Sequence, residues 1–212
     1  KWAFLPTHNL IVHPHPHINL ERPFFYEFDY FFLKLFHELA LIAGNVLTPI
    51  SKFLAVTGNV PFLIALYIGV ILLFIPKYRK YGIVMITSII FGAILTNLAV
   101  KPIVFRMRPY QSNVLEFRQW WEFVGCATEA DSSFPSGHTT AASAASLGFF
   151  LISKRKRINW VVLLYPIIMA CSRVYLCVHY PSDVLAGLIV GSIAAILAYN
   201  LINYIYTKRR LA

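Results

Sequence analysis

Charged residues are scarce in this sequence: they make up 13% of its 212 residues, whereas 58% are hydrophobic and the mean hydropathy is +0.63. This balance lies well outside that of a water-soluble domain of similar length, so it excludes a soluble protein and predicts an integral membrane protein. Cysteine is also rare. The three cysteines, Cys126, Cys171 and Cys177, show no ligand spacing, and we expect them to be small buried hydrophobic residues.

Five apolar stretches are candidate transmembrane helices: residues 60–75, 82–100, 136–152, 159–178 and 184–205. A hydrocarbon core about 30 Å thick requires about 20 helical residues, so the first and third stretches are short and must borrow from their flanks. The other three are long enough as they stand. The sequence therefore predicts an all-α fold, a polytopic transmembrane helix bundle with five clear spans.

Acidic residues are the rarer charge, nine against nineteen lysines and arginines, which gives a net charge of +10. In a soluble protein this charge would indicate a nucleic-acid partner. Ten of the basic residues instead form three clusters that follow alternate helix ends: Lys77, Arg79 and Lys80; residues 154–157; and Lys208, Arg209 and Arg210. The positive-inside rule makes that face cytoplasmic and leaves the acidic residues on the other face. We therefore predict contact with the lipid bilayer and no nucleic-acid partner.

The N-terminal part of the chain is predicted to lie outside the membrane core. Residues 31–57 are moderately apolar, but charges and Pro49 interrupt them, which favours an interfacial pair of amphipathic helices over a sixth span. Five spans would place the N-terminus outside, so a further helix entering from the cytoplasm is an additional expectation. We divide the chain into an extracytoplasmic or interfacial segment (1–58), a transmembrane core (59–206) and a basic cytoplasmic tail (207–212).

Three histidines alternate with prolines near the start of the sequence: His13, His15 and His17. The prolines keep this segment extended, and clustered histidines suggest a metal site. No carboxylate or cysteine accompanies them at ligand spacing, however. A surface or lipid-facing segment is therefore the preferred interpretation, with a metal site as the alternative.

Polar residues concentrate at three helix ends that are predicted to face the outer side. The second span ends in KPIVFRMRP, with Lys101 and Arg108; the third opens with FPSGHTT, with Ser136, Gly137 and His138; and the fourth and fifth are joined by SRVYLCVHYPSD, with Arg173, His179 and Asp183. Charged groups beside membrane-length apolar segments are costly, so they are either interfacial anchors or parts of a site. Three such stretches at one face favour a shared pocket.

This set of residues suits phosphoryl transfer, which is catalysed mainly by positioning and by stabilising charge on the phosphoryl oxygens. The lysine and the two arginines supply positive charge, and arginine adds a planar donor set that matches phosphate. Pro135 suits the first position of a helix. Ser136 and Gly137 are therefore expected to offer free backbone N–H groups to an anion.

The two histidines are predicted to have different roles. Pro181 ends the fourth helix and starts the fifth, so Asp183 lies in a first turn, close enough to accept a hydrogen bond from the His179 ring. A carboxylate on one ring nitrogen leaves the other nitrogen as a nucleophile. His138 comes from another helix, and it can protonate a departing alkoxide and later take a proton from water.

The three stretches resemble, in the same order, the signature K-x6-RP, PSGH and SR-x5-H-x3-D of the type-2 phosphatidic acid phosphatase superfamily, which also contains the vanadium haloperoxidases. The resemblance covers residues 57–205. It implies a six-helix core and a metal-independent phosphatase without a cofactor, in which His179 forms a phosphohistidine, Asp183 orients it and His138 is the acid and base. It implies that the phosphate is held by Lys101, Arg108, Arg173, Ser136 and Gly137. The pattern gives Arg106 no role, so we expect Arg106 to contact a headgroup or the protein surface.

The resulting prediction is an integral membrane lipid phosphatase of a bacterial plasma membrane, with its active site at the extracytoplasmic helix ends. Its expected partner is a membrane lipid phosphate or diphosphate. Among the substrates that the resemblance implies, undecaprenyl diphosphate is preferred to phosphatidylglycerol phosphate and phosphatidate. Two alternatives stay open: a phosphotransferase that passes the phosphoryl group from the same histidine to another lipid, and an anion transporter or channel, which would need charges deeper within the spans.

Overall fold

The computed structural model describes residues 23–59 and 61–211, and within these residues it contains helices and irregular segments but no strand. The all-α prediction is therefore confirmed for this part of the chain. The α-helices are α1 (Pro23–Asn59), α2 (Pro61–Phe74), α3 (Arg79–Ile94), α4 (Lys101–Val104), α5 (Leu115–Phe123), α6 (Gly137–Ile152), α7 (Lys156–Asn159), α8 (Leu164–Tyr175) and α9 (Pro181–Leu211). A π-helical turn, Leu95–Val100, joins α3 to α4, and 3-10 turns lie at Pro109–Gln111 and Trp160–Leu163. The predictions for His13, His15 and His17 fall outside the described residues.

Each predicted transmembrane stretch coincides with a helix: α2, α3 with its π-turn, α6, α8 with its preceding turn, and α9. Among the described residues, three helices are long and apolar enough to cross a membrane, Phe25–Val56, Arg79–Gln111 and Pro181–Lys208. The second and third belong to predicted spans. The first lies in the stretch that the sequence predicted to be an interfacial helix pair.

Helix α1 is bent and follows one end of the bundle. Its backbone is non-helical at Ala43, with φ −129° and ψ 21°, so two helical halves meet there. In the first half, Asp29 Oδ1 accepts a hydrogen bond from the backbone N–H of Ser182 at 2.8 Å. In the second half, Thr48 Oγ1 lies 2.7 Å from the hydroxyl of Tyr175. Both halves therefore contact the same junction, between the end of α8 and the start of α9.

Helix α6 lies at the centre of the bundle and packs against α9 and α3 through small residues. The small residues of α6 are buried: Ala142, Ser143, Ala144, Ala145, Ser146 and Gly148. On α9, a Cβ at Gly187 would lie 2.8 Å from the carbonyl oxygen of Ser136, and one at Gly191 would lie 2.7 Å from the Cβ of Ser143. Glycine thus permits the close helix approach that brings the starts of α6 and α9 together.

The connection between α4 and α6 is anchored to the rest of the fold by aromatic packing. Its helix α5 buries Phe117 against Leu33 of α1 and Val174 of α8. Trp121 donates from its indole N–H to the carbonyl of Ala127 at 2.6 Å, and its ring stacks on Tyr110 with 4.7 Å between centroids. These contacts hold the segment that precedes α6 over the helix ends.

Large apolar side chains cover the outside of the bundle, among them Ile42, Phe74, Leu98 and Ile189. Such a surface suits helices that face lipid, where no apolar side chain needs to be buried in protein. Of the three cysteines predicted to be buried, only Cys177 is. Cys126 and Cys171 are exposed, so that part of the prediction is wrong for both of them.

Candidate active site

The three polar stretches meet at one end of the bundle. Arg108 donates from Nη1 to the carbonyl of Val178 at 2.8 Å and lies 3.2 Å from Nε2 of His179. The backbone N–H of Ser136 donates to the carbonyl of Asp183 at 3.1 Å. Five members of the predicted set are at most 1% exposed: Arg108, Ser136, Arg173, His179 and Asp183.

Basic residues mark the opposite end of the same helices. Near the start of α3, Lys80 Nζ donates to Oδ1 of Asn203 at 2.6 Å, close to the end of α9. At the other end, Arg106 Nη1 lies 2.6 Å from Oδ1 of Asp183, in the first turn of α9. The polar helix ends and this basic cluster are therefore separated by the length of the bundle.

Ser133 lies beside the predicted histidine–aspartate pair. Nδ1 of His179 is 3.6 Å from Oδ2 of Asp183, which is too long for the direct hydrogen bond that the sequence predicted. Instead, Ser133 Oγ donates to Oδ2 of Asp183 at 2.5 Å and lies 3.5 Å from Nδ1 of His179. The same Oδ2 accepts the backbone N–H of Tyr180 at 2.9 Å. These two donors hold the carboxylate slightly back from the ring.

The surroundings of His179 keep its imidazole neutral, with a lone pair on Nε2. Because a guanidinium can only donate, its contact with Nε2 requires an acceptor there, so the ring proton belongs on Nδ1, toward Asp183. Burial lowers the pKa of His179 to about 4; Asp183 opposes this shift, and the positive charges of Arg108 and Arg173 add to it. At neutral pH the ring therefore presents an unprotonated nitrogen to a cation.

Two carboxylates of the segment before α6 contact all three cations that were predicted to bind phosphate. Asp131 pairs with Nζ of Lys101 and, at 2.6 Å, with Nη2 of Arg108. Glu129 pairs with Nη2 of Arg173. Burial opposes ionisation of Asp131, but the hydrogen bonds and charges of Lys101 and Arg108 outweigh it and hold the pKa of this carboxyl below its usual range. The cation cluster therefore already attracts anionic oxygens.

Three buried polar atoms of the site have no hydrogen-bond partner among the described residues: Nε and Nη1 of Arg173, and Nε2 of His138. Buried donors and acceptors are nearly always paired, so unpaired ones at a single site point to a bound group. Arg173 lies close enough to His138 for its positive charge to act on the His138 ring. The unpaired atoms thus belong to one cluster, which can bind an anion.

A cavity of about 230 Å³ adjoins the cluster, between α3 with its π-turn and α6. Lys101, Gly137 and His138 contribute to its lining, as do Ile89 and Gly92, which lie further along α3. The cavity therefore extends from His138 along α3 and α6. This shape has room for part of an amphiphilic molecule with a polar end at His138.

The start of α6 differs in detail from the prediction. The helix begins at Gly137, with Ser136 before it, rather than with Pro135 in its first position. The N–H of Ser136 is not free to bind an anion, because the close packing of α6 on α9 makes it donate to the carbonyl of Asp183. Gly137 lies next to the cations, since a Cβ there would be 3.9 Å from Nζ of Lys101.

Arg106 is the largest discrepancy between the sequence analysis and the structure. We expected it to contact a headgroup or the surface, but its side chain is only 16% exposed and pairs with Asp183 at 2.6 Å and Asp29 at 2.7 Å. That expectation is wrong because α1 brings a carboxylate to the site. The other polar neighbours that the sequence analysis missed lie just before α6: Glu129, Asp131 and Ser133. Their position just before PSGH indicates that they lie near the site. No sequence spacing, however, predicts that Glu129 and Asp131 pair with the cations.

The fold and the site together define a class: apolar helices of membrane length, with a buried cluster of cations, histidines and carboxylates at one end. A model of the PAP2 superfamily matches residues 77–206. The chain belongs to the PAP2 superfamily, which confirms the resemblance inferred from the three sequence stretches.

Named relatives agree with this assignment. Lipid A 1-phosphatase of Rhizobium etli is 36% identical over 110 residues, which cover 52% of this chain and 45% of that protein. Undecaprenyl-diphosphatase BcrC of Bacillus subtilis is 26% identical over 149 residues, which cover 61% of this chain and 72% of that protein. The chain thus spans about half the length of the lipid A 1-phosphatase and about 72% of the length of the undecaprenyl-diphosphatase.

A solved structure shares the fold. The crystal structure of LpxE of Aquifex aeolicus superposes with a TM-score of 0.58 at 24% identity, over 79% of this chain and 94% of that one. The helical arrangement described above is therefore one found in a protein of known structure.

Proposed function

We propose that this protein is an integral membrane lipid phosphatase that transfers the phosphoryl group of its substrate to His179 and then to water. The observation that carries the proposal is the buried, neutral imidazole of His179, whose Nε2 lone pair lies 3.2 Å from the Arg108 guanidinium. A neutral nitrogen nucleophile beside positive charge is suited to attack a negatively charged phosphate. Membership of the PAP2 superfamily and the names of the relatives support the same reaction class.

In the first step, Nε2 of His179 attacks the terminal phosphorus, and a P–N bond forms as the bond from that phosphorus to the leaving oxygen breaks. The leaving group is the lipid alcohol from a monophosphate, or the lipid phosphate from a diphosphate. The three cations, with the N–H of Gly137, stabilise the phosphoryl oxygens. Nε2 of His138 gives a proton to the leaving oxygen, and the negative charge of the bound phosphate stabilises the protonated form of that ring. Asp183 balances the positive charge that develops on the nucleophilic ring. Ser136 supports this arrangement through its hydrogen bond to the Asp183 backbone.

In the second step, His138 accepts a proton from a water molecule as that water attacks the phosphorus. The P–N bond breaks, its electron pair returns to Nε2 of His179, and inorganic phosphate is released. The two steps balance in protons and charge, because the proton that His138 gives to the leaving oxygen is recovered from water. No metal ion or cofactor takes part in this scheme.

The two carboxylates before α6 compete with substrate for the same cations, and this competition can be measured. Asp131→Asn removes the negative charge shared by Lys101 and Arg108, so the inhibition constant of orthovanadate should fall about three- to tenfold, the equivalent of about 1 kcal/mol for a partly exposed ion pair. Glu122→Gln is the matched control, because Glu122 pairs with Arg118 on the exposed face of α5. A higher constant in Asp131→Asn would contradict the proposed competition.

The same proposal includes a topology. Residues 59–206 form a core of five spans, with the active site on the extracytoplasmic face of a bacterial plasma membrane and residues 207–212 in the cytoplasm. The location of the Lys80 cluster at the opposite end of the bundle supports this orientation through the positive-inside rule. Residues 1–58 remain outside or at the interface. Contacts of both halves of α1 with the α8–α9 junction support this placement, because a spanning helix would contact both ends of the bundle.

The substrate is a lipid phosphate or diphosphate whose tail stays in the bilayer, and undecaprenyl diphosphate is the preferred candidate. The presence of an undecaprenyl-diphosphatase among the relatives, aligned over 61% of this chain, supports this candidate. The cavity beside His138 is placed to receive the group that leaves with the lipid oxygen.

A phosphate-release panel in detergent tests the function. It compares undecaprenyl diphosphate, lipid A 1-phosphate, phosphatidylglycerol phosphate and phosphatidate, each measured with and without EDTA, and uses His179→Ala as the blank. We expect release from at least one lipid at an unchanged rate in EDTA, because three protein cations supply the positive charge. Complete loss in EDTA with recovery on adding Mg²⁺ would contradict the mechanism. Transfer of the label to a second lipid instead of water would identify a phosphotransferase.

A further inference from the structure

We infer that Arg106 is a positioning residue that, together with Asp29, fixes the carboxylate of Asp183 against the nucleophilic histidine. The inference rests on the proposed function, because the positioned group serves His179. Arg106 Nη1 lies 2.6 Å from Oδ1 of Asp183, and its Nη2 lies 2.7 Å from Oδ2 of Asp29. A single guanidinium thus joins two carboxylates that are each at most 1% exposed.

The two oxygens of Asp183 have separate partners. Oδ1 accepts from Arg106, whereas Oδ2 accepts from Ser133 and Tyr180 and faces Nδ1 of His179. Rotation of the carboxylate would exchange these oxygens and break contacts on both sides. The contact with Arg106 therefore restrains rotation of the carboxylate about its Cβ–Cγ bond, and so keeps one edge of it directed at the histidine.

The contacts of Arg106 direct its guanidinium toward Asp183 and not toward the phosphate-binding cations. Its guanidinium stacks on the ring of Tyr180, 3.9 Å from the centroid, and Nη1 also donates to Oγ of Ser182 at 2.7 Å. Both terminal nitrogens are therefore paired on the Asp183 side of the site. Arg173, in contrast, leaves two of its buried nitrogens without a partner.

Asp29 has two functions in this arrangement. It accepts from the backbone N–H of Ser182 at 2.8 Å and from its hydroxyl at 2.7 Å, so it binds α1 to the first turn of α9, where N–H groups lack helical partners. It also neutralises Arg106. Two carboxylates and one guanidinium leave a net charge of minus one, so negative charge persists beside His179 and can balance the charge that its ring acquires.

A double-mutant cycle in the full-length protein tests this inference, with phosphatidate as one probe and the best lipid of the panel as the other. We expect Arg106→Gln and Asp183→Asn each to lower kcat about 100-fold, with KM and the vanadate inhibition constant changed less than about twofold. If Arg106 acts through Asp183, the double variant should be no more than about threefold slower than Asp183→Asn. A merely structural role would instead produce independent losses that multiply, and this outcome would overturn the inference.

Asp29→Asn provides a second route, because it keeps the side-chain shape and can still accept from Ser182. We expect kcat to fall about tenfold and KM to stay unchanged. In combination with Asp183→Asn, the Asp29→Asn variant should add little further loss of kcat. Glu27→Gln, on the exposed face of the same helix, is the matched control and should retain wild-type kcat. If Arg106→Gln does not purify as a folded protein, the Asp29 cycle alone decides the inference, and additive losses there overturn it.

The same assays separate this inference from the proposed function. A wild-type protein that releases phosphate from no lipid overturns both. If the wild-type protein is active and His179→Ala is inactive, the losses from Arg106→Gln and Asp183→Asn can still multiply. In that case the proposed function stands, and only the role of Arg106 is overturned.

Discussion

His179→Ala is expected to abolish phosphate release, with kcat lowered by more than about 10³-fold, because the covalent intermediate can no longer form. The ring is buried, its Nε2 lies 3.2 Å from Nη1 of Arg108, and the other histidine of the site, His138, has the separate role of acid and base. Phosphate release by the purified variant in detergent measures the effect. A residual rate of one tenth of wild type would contradict the assignment of the nucleophile.

The matched control is His37→Ala. His37 lies on α1, where its ring stacks on Trp120 with 5.3 Å between centroids, and it takes no part in the proposed chemistry. Its replacement should leave kcat within about twofold of wild type while the melting temperature reports any loss of packing. Equal losses in the two variants would show that the assay follows folding rather than catalysis.

Arg173→Ala is expected to give the second-largest effect, a fall in kcat/KM of about 10²- to 10³-fold, as for other donors that stabilise charge in a transition state. Its guanidinium is 1% exposed, one nitrogen pairs with Glu129, and the two other nitrogens are free to hold phosphoryl oxygens. Arg173→Lys should recover less than about tenfold of the loss, because a single ammonium cannot occupy these separate donor positions. Initial rates over a range of lipid concentrations measure both variants.

Arg118→Ala is the control for this prediction, because it also removes an arginine but from an exposed ion pair on α5. It should leave kcat/KM unchanged within about twofold. Full activity in Arg173→Lys would mean that only positive charge matters at this position, and the proposed role of its separate donors would then be incorrect.

The sequence predicted the all-α fold, and it predicted that the cations and histidines lie at helix ends that meet, because both depend on local patterns. Apolar runs of membrane length fixed the positions of α3, α6 and α9, and polar residues at their ends had few alternative environments. Pro181 starts α9 as predicted, so Asp183 lies in its first turn. Helix geometry therefore determined where most of the site residues would meet.

The remaining parts of the site depend on contacts between residues far apart in the chain. Asp29 and Ser182 are 153 positions apart, and nothing in the local sequence of α1 indicates that its aspartate reaches α9. Likewise, the backbone N–H of Ser136 donates to the carbonyl of Asp183, because glycines of α9 let the starts of α6 and α9 approach closely. Such pairings follow from tertiary packing, so composition and spacing could not predict them.

The direct test of a phosphoryl group passing through His179 is to trap that group on the enzyme. A lipid substrate carrying radioactive phosphorus is mixed with excess enzyme and quenched in alkali within one turnover, and the labelled peptide is mapped by mass spectrometry. The mechanism predicts an acid-labile, alkali-stable label on His179 that is absent from His179→Ala. A label on another residue, or phosphate release at full rate with no labelled protein at any time, would contradict it.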